Sequence, residues 1–442
     1  SPQAKEVQGL QGYYNGKQRP QLRVKEGQAN DNIMLNWVGL AVDRAVSMLL
    51  GTGVEFALPE ENEQQQEYLN QVWDINKRSI LLQSIALDGA VSGHIFLKIL
   101  PDALVSNYTD EVFPRLVLID PKLITKHVDP RDMSQVQKYV MEYKLKDGID
   151  KEHLFREVTR RATPEDFDTP QEEVSQWIIE TLEYINGWRV IDSVNWPYPF
   201  PPIHDWKNLP TIHSARGSSD IDQVIDAQDK YNFVQSNNLK INRYHAHPKT
   251  WGSGFTKTDK TSWGADEMIT ISDVNGKISN LEMSSDLAAS RAIGLDLRQA
   301  IFDIAREVDI TSITDKIGQL TNFGLRLLFS DALSKVSTKR ELYSEGLNEI
   351  NRRVLVLKGW EKELSNPGEV VWSEPLPINL IEEIAIDKEA LALGIVDKQT
   401  VSERYVKRYG QDWETILQRM NEQKASERTV GSMLLQNFNR GQ

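Results

Sequence analysis

Between Val224 and Ile241 the chain reads VIDAQDKYNFVQSNNLKI. Its apolar positions fall at Val224, Ala227, Tyr231, Val234 and Ile241, with Asn238 on the same line. The steps are 3, 4, 3, 4 and 3 residues. That is a thin seam down one side of a helix, narrower than the stripe with which a helix lies on a globular core. Ile221 and Ile225 widen it only at its start, and most of the remaining surface is Asp, Gln, Asn, Ser and Lys. Two arrangements fit. The helix is a spoke between two bodies, its partners come from other chains, and Asn238 fixes register at some cost in stability. Otherwise it is one arm of a helix hairpin inside a domain, with Asn238 exposed.

The seam helix is expected over about 219–243, with Ser218, Ser219 and Asp220 as N-cap candidates. A stretch dotted with Gly and Trp follows to 283, in which MITISD and KISNLEM read as strands joined by a Val274-Asn275-Gly276 hairpin. A second helix is expected over 285–306, a break at EVDITSITDKIG, and a very long helix over 319–360. At ~1.5 Å per residue the last is on the order of 60 Å. Its later half repeats the seam at Leu347, Ile350, Val354 and Leu357. From 376 onward the pattern is short helices ending in a polar stretch. The first half is mixed: a helix over 30–52 stopped at Gly51 and Gly53, and further helices within 62–92. Strands are expected at HIFLKIL, PRLVLIDP, VQKYVMEYKL and WRVIDSVNW, and a loop over 197–218. The fold class is α+β, and 442 residues imply two to four structural units.

The net charge of −13 argues against a basic nucleic-acid reader. Glu165, Asp166, Asp168, Glu172, Glu173, Glu180 and Glu183 follow one another without a Lys or Arg between them. They read as a solvated surface, or as one that must not hold a polyanion. The lack of cysteine excludes disulfides and cysteine metal sites, and fits a reducing compartment and a heat-adapted source. The most apolar run, MLNWVGLAVDRAVSMLL, is broken by Asp43 and Arg44, so no membrane span is expected, and the first twenty residues hold no apolar signal core. His245 and His247 would share a strand face, but two ligands without a third make a poor metal site. GSGFTKT lacks the spacing of a phosphate loop, and no G-x-S-x-G elbow occurs. No catalytic residue, cofactor or metal is therefore expected, and the chain reads as a non-enzyme. Trp251 and Trp263 flank a polar loop with Lys249, Lys257 and Lys260; they pack a small β module or form an interface.

Several segments, in order, resemble the portal proteins of tailed bacteriophages. They are YYNGKQRP, QVWDINKRSILLQSIALDGAVSGHIFLKILPD, LIDPKLITKHVDPRDMSQVQKYVMEYK, FPPIHDWKN with GSSDIDQVIDAQDKYN, and LALGIVDKQTVSERY. The ordered series, from about residue 12 to about 425, is more specific than any piece of it. The resemblance implies a mixed α/β wing over 1–219, a first stem helix over 220–243, a clip over 244–284 and a second stem helix over 285–306. A tunnel loop over 307–318, a second wing part (long helix and following strands) over 319–375 and a helical crown over 376–442 complete it. It further implies a homo-oligomeric ring, usually of twelve subunits, at one capsid vertex. Double-stranded DNA is packaged and ejected through its channel without sequence preference. Terminase, a head-completion or adaptor protein, and the major capsid or scaffolding protein are the implied partners. The implied location is the virion, and the host cytoplasm during assembly. By the same resemblance Val308, Ile310 and Ile313 form the channel constriction. Val224, Ala227, Tyr231, Val234, Asn238 and Ile241 form the stem seam, and Trp251 and Trp263 the clip interface. The rival readings are a ring ATPase of the packaging motor, which needs a phosphate loop and paired acids not found together here, and a non-viral helical scaffold.

Overall fold

The computed structural model describes residues 2–27, 30–59, 62–105, 111–146, 152–163, 166, 177–246, 250–253, 275–280, 287–312, 321–360, 368–376, 380–397 and 399–402. The chain divides into two compact units, one of residues 1–319 and 325–376, the other of residues 320–324 and 377–442.

The first unit opens with α1 (Pro2–Tyr14), which buries Val7, Leu10 and Tyr13. An extended stretch leads to α2 (Trp37–Leu50). The Asn36 side chain accepts the Gly39 N–H at 3.0 Å and so satisfies one of the donors that a helix start leaves open. Gly51, at φ +57°, ends the helix. A short strand β1 (Val54–Ala57) is followed by α3 (Glu63–Ile75) and α4 (Arg78–Ser92). Gly93 stops α4 at φ +78°, where a Cβ would meet Ser219 N at 2.7 Å and Gly217 O at 2.8 Å. Only glycine lets those backbones approach so closely.

The HIFLKIL run lies in β2 (His94–Val105), which pairs antiparallel with β3 (Val112–Leu118). Next come β4 (Ile124–Asp129), β5 (Asp132–Lys146), β6 (Glu152–Arg161), β7 (Trp177–Tyr184) and β8 (Trp188–Trp196). These five form an antiparallel meander in chain order, with Tyr143 opposite Phe155 and Ile179 opposite Val194. β9 (Ile203–Lys207) returns to β2, giving a second sheet of order β3-β2-β9. The two sheets meet at Asp205. It accepts from His94 Nε2 at 2.7 Å, from Lys126 Nζ at 2.6 Å and from the Tyr139 hydroxyl. His94 Nδ1 takes the Gly217 N–H, so the ring proton sits on Nε2 and points at Asp205.

The chain then forms α5 (Ile225–Ala246), a hairpin of β10 (Thr250–Ser253) with β11 (Lys277–Asn280), and α6 (Leu287–Ala305). A short α7 (Asn322–Leu328) precedes α8 (Ser330–Leu357), and β12 (Glu369–Trp372) pairs with β1. The main core gathers around α8. Leu347, Ile350 and Val354 are fully buried against Leu69, Val72 and Trp73 of α3, Ile85 of α4, and Ile95, Leu97 and Ile99 of β2. Trp73 stacks on Phe56 at 4.6 Å and donates its Nε1–H to Asn351 Oδ1 at 2.8 Å. In the second unit the described residues form α9 (Leu380–Ala392).

Several sequence expectations need adjusting. α1, β1, β6, β7, β9 and β10 have no counterpart among the expected elements, whereas β4 lies in the LIDPKLITKHVDPRDMSQVQKYVMEYK stretch whose resemblance implies wing strands. The helix expected over about 219–243 runs from Ile225 to Ala246, and the one expected over 285–306 from Leu287 to Ala305. The long helix is divided at Phe329, with φ −93° and ψ 13°. KISN pairs with Thr250–Ser253, while MITISD lies outside the described residues. Of the acidic run, Asp166 and Glu180 bind Arg160 at 2.7 Å each, and Glu183 binds His153 at 2.7 Å. Asp166 and Glu180 are thus paired with a guanidinium, and Glu183 is hydrogen-bonded to a histidine of the neighbouring strand, rather than left to solvent.

His204 makes the folded state sensitive to acid. Its Nδ1 accepts from Arg353 at 3.3 Å and its Nε2 is buried. Burial, then the Arg353 charge, pushes the imidazole down to about 3. An unfolded histidine titrates near ~6.5. Below that value the unfolded chain binds a proton that the folded chain refuses. The stability that this group contributes is thus full above about pH 6.5 and falls by up to ~1.4 kcal/mol per pH unit on acidification towards the folded value. Burial also pushes the Asp88 carboxyl up to about 7, which acts in the opposite sense over the same range, so the histidine's share is read against His204→Gln. The difference in denaturant midpoint between parent and variant should be level from about pH 8 to 7 and then shift against the parent towards about pH 5, where ordinary carboxylates remain ionised; a pH-independent difference would contradict the assignment.

Candidate functional site

α5 carries its seam as two different surfaces. Val224, Ala227 and Tyr231 turn into the main core. Tyr231 meets Trp37 edge-on with ring centres 6.2 Å apart. Val234, Asn238 and Ile241 are half-buried. Asn238 Oδ1 accepts the Ser290 hydroxyl of α6 at 2.6 Å. At Gly294 of α6 an added Cβ would meet Gln235 Nε2 at 2.7 Å and Val234 Cγ1 at 3.9 Å. The two helices therefore run close together, and the polar seam position finds its partner within the chain. Asn238 is thus half-buried rather than exposed, and Ser290 meets part of its hydrogen-bonding capacity.

The side of α5 that looks solvated in the sequence is not. Gln228, Asn232 and Ser236, four residues apart, are fully buried. They grip the extended segment before α2. Gln228 Nε2 donates to Leu35 O at 2.7 Å, Leu35 N–H donates to Asn232 Oδ1 at 3.1 Å, and Ile33 N–H donates to Ser236 Oγ at 2.9 Å. Asp31 pairs with Arg243 at 2.7 Å, and Tyr13 donates to Asp229 at 2.9 Å. The segment runs antiparallel to α5, and side chains supply the hydrogen bonds that a neighbouring strand would otherwise give it. The sequence signal for this strap was the i, i+4, i+8 spacing of Gln, Asn and Ser on one helix face.

α6 ends in a specific cap. Arg306 sits at φ +55°. Its N–H donates to Asp303 O at 3.1 Å, and the Glu307 N–H donates to Phe302 O at 2.8 Å. This is the pair of bonds of a Schellman motif, with Arg where Gly is usual. Three cations from three helices then hold the turn that follows. Lys335 of α8 donates to Ala305 O at 2.8 Å and pairs with Glu307 at 3.3 Å. Arg44 of α2 donates to Val308 O at 2.9 Å. Arg298 of α6 pairs with Asp309 at 2.9 Å, bonds the Thr311 hydroxyl, and lies over the Trp37 ring at 4.2 Å. A cation at the carbonyl end of a helix is favourable. Burial pushes the Glu307 carboxyl up, and the Lys335 charge opposes that.

Of the expected constriction residues, Val308 is half-buried with its carbonyl held by Arg44, and Ile310 is 38% exposed at the start of a 3₁₀ turn. Ile313 lies outside the described residues, as does Trp263. Trp251 sits in β10 opposite Ser279. The helix pair also keeps large apolar side chains in solvent: Phe233 and Leu239 on α5, and Ile293, Leu295 and Ile304 on α6. Among the described residues no group of three or more His, Asp or Glu is placed to hold a metal ion, and no helix is long and apolar enough to cross a membrane.

A family model described as "Phage portal protein, SPP1 Gp6-like" matches residues 2–429. No curated protein matches the chain.

Two substitutions test the site's local physics. Arg306→Gly removes the cost of a left-handed residue with a Cβ and should raise stability by about 1 kcal/mol in thermal unfolding. Asn232→Leu makes α5 more apolar yet orphans the Leu35 N–H and its side-chain partners, at ~1–3 kcal/mol per group. It should therefore lower the denaturant midpoint strongly, whereas Asn242→Leu, on the exposed side of the same helix, should leave it nearly unchanged.

Proposed function

The chain belongs to the phage portal protein family, and we propose that copies of it close into a ring whose axial channel passes double-stranded DNA during packaging and ejection. The observation that carries this reading is the exposed apolar set on α5 and α6. Phe233, Leu239, Ile293 and Leu295 remain in solvent although the two helices already pack on each other. Apolar surface of that extent on a helix pair calls for a cover, and a ring of identical copies supplies one through a heterologous contact that closes. In this reading α5 and α6 form the stem, the β10–β11 region the clip with Trp251 and Trp263 at its interface, and α8 with the sheets the wing. The crown follows β12. Twelve copies at a capsid vertex, with terminase, an adaptor and capsid or scaffolding protein as partners, complete the proposal. The family is a structural one, and the energy for packaging would come from a separate ATP-driven motor.

The turn after α6 would border the narrowest part of the channel, through Val308, Ile310 and Ile313. Support comes from how its charges are used. Three of its four cations, Arg44, Arg298 and Lys335, point at protein acceptors, while Arg306 and Ile310 are exposed. An apolar tip touches DNA without the phosphate ion pairs that make binding tight and salt-dependent.

Negative-stain microscopy of the purified chain should show rings with an axial hole; isolated particles at every concentration would overturn the proposal, and robust ATP turnover would favour the motor reading. Ile310→Lys should leave ring assembly intact, slow DNA passage in a packaging assay with terminase, and make that rate more sensitive to salt. A normal rate would remove Ile310 from the constriction.

A further inference from the structure

Four charged side chains are buried together where α5 begins, α6 ends and α8 passes. Asp220, Glu307, Lys335 and Lys339 each expose 4% or less of the side chain. Two carboxylates face two ammoniums, so the cluster is balanced. Asp220 Oδ2 binds Lys339, and its Oδ1 accepts from Asn208 Nδ2 at 3.2 Å, while Tyr343 donates to Asn208 Oδ1 at 3.1 Å. The backbone beside Asp220 is fixed to α4: its N–H donates to Ala90 O at 2.9 Å, and Ser219 Oγ donates to Val91 O at 2.7 Å. Burial pushes the Asp220 carboxyl up, but the two ammoniums overcome it and hold it below the usual range.

Lys335 is the member with two directions. Its ammonium lies 2.8 Å from Ala305 O and 3.3 Å from Glu307 on one side, and 3.7 Å from Asp220 on the other. We infer that Lys335 is a positioning residue that ties the turn after α6 to the start of α5, so that the two ends of the helix pair are registered on α8 by one shared ammonium. Apolar contacts at this place would hold the same elements together but let them slide. A buried ammonium with acceptors on both sides does not, because displacement of either carboxylate leaves a charge uncompensated inside the protein. The use of this link, a turn held at fixed depth, rests on the channel reading; the link itself does not.

Amide hydrogen exchange on the full chain tests it. The Arg306, Glu307, Val224 and Gln228 N–H groups all make backbone hydrogen bonds and so have protection to lose. Lys335→Met should reduce protection at 306–311 and at 224–228 together, by roughly 100-fold, with 347–354 in the later half of α8 unchanged. A uniform loss across the unit, or no loss at the turn, would overturn the inference. Glu307→Ala serves if Lys335→Met does not fold. It should release the turn alone, since Asp220 keeps both ammoniums; release of both segments would show that they are coupled by something other than Lys335. These exchange patterns require neither ring nor DNA, so their failure leaves the channel proposal standing, and the absence of rings would leave them unaffected.

Discussion

Bringing an ammonium into a protein interior costs several kcal/mol unless acceptors surround it. α8 brings in two, Lys335 and Lys339, one turn apart. That cost fixes what can be packed there. Asp220 must stand at the entry to α5, Glu307 at the exit from α6, and the free carbonyl of Ala305 must face Lys335. A buried ion pair adds little net stability over an apolar replacement of equal shape. Its contribution is specificity, because an acid and a base must meet at one distance while methyl groups tolerate many. The direction in which the helix pair leaves the main core thus depends on four charges rather than on the area it buries.

The same logic extends along α5. With a seam too thin to hold it on a core, the helix is fixed by amides and hydroxyls on its other side. Gln228, Asn232 and Ser236 satisfy the backbone of an extended strap that could not otherwise be buried. Farther out, contact passes to α6 through Ser290 and Gly294. α5 is thus tied by charge at its base and by amides along the strap, and close backbone approach holds its outer part. In the ring proposed above, each would leave the outward apolar side chains available to a neighbouring copy.

How much of this was legible followed from how far apart the interacting residues are. The later seam of α8 was readable because Leu347, Ile350 and Val354 repeat on one face, and the structure buries all three. HIFLKIL and WRVIDSVNW were readable as strands from their β-branched and aromatic content. α1 escaped notice because PQAKEVQGLQGYY has few apolar positions and little contrast between its faces. β6 escaped because EHLFREVTRR reads as charged surface; its charges are cross-strand partners, Arg156 of Glu142 and Arg160 of Glu180. Lys277–Asn280 reaches back to Thr250–Ser253, a pairing that no local signal reports, while the MITISD side of the expected Asn275-Gly276 hairpin lies outside the described residues. At the candidate site the apolar break was visible but not its anchors: Arg44 is 264 residues from Val308, and no local pattern reports such a contact.

The turn after α6 shows why those anchors matter more than the apolar residues they surround. Left to itself, a break containing Val, Ile and Thr has no reason to project, since β-branched apolar side chains would fold back onto the nearest core. Here the backbone up to Val308 is fixed by Lys335 and Arg44, and Arg298 fixes the acid and hydroxyl that flank Ile310. Glu307, Asp309 and the Thr311 hydroxyl are engaged by these cations, and Ile310 stays exposed between them, as does Arg306 at the end of α6. Exposure of Ile310 is therefore a consequence of electrostatics at its base. A substitution that weakens any of the three cations acts on the position of the tip before it acts on the tip's chemistry, and one that changes Ile310 alone acts on chemistry with the position kept.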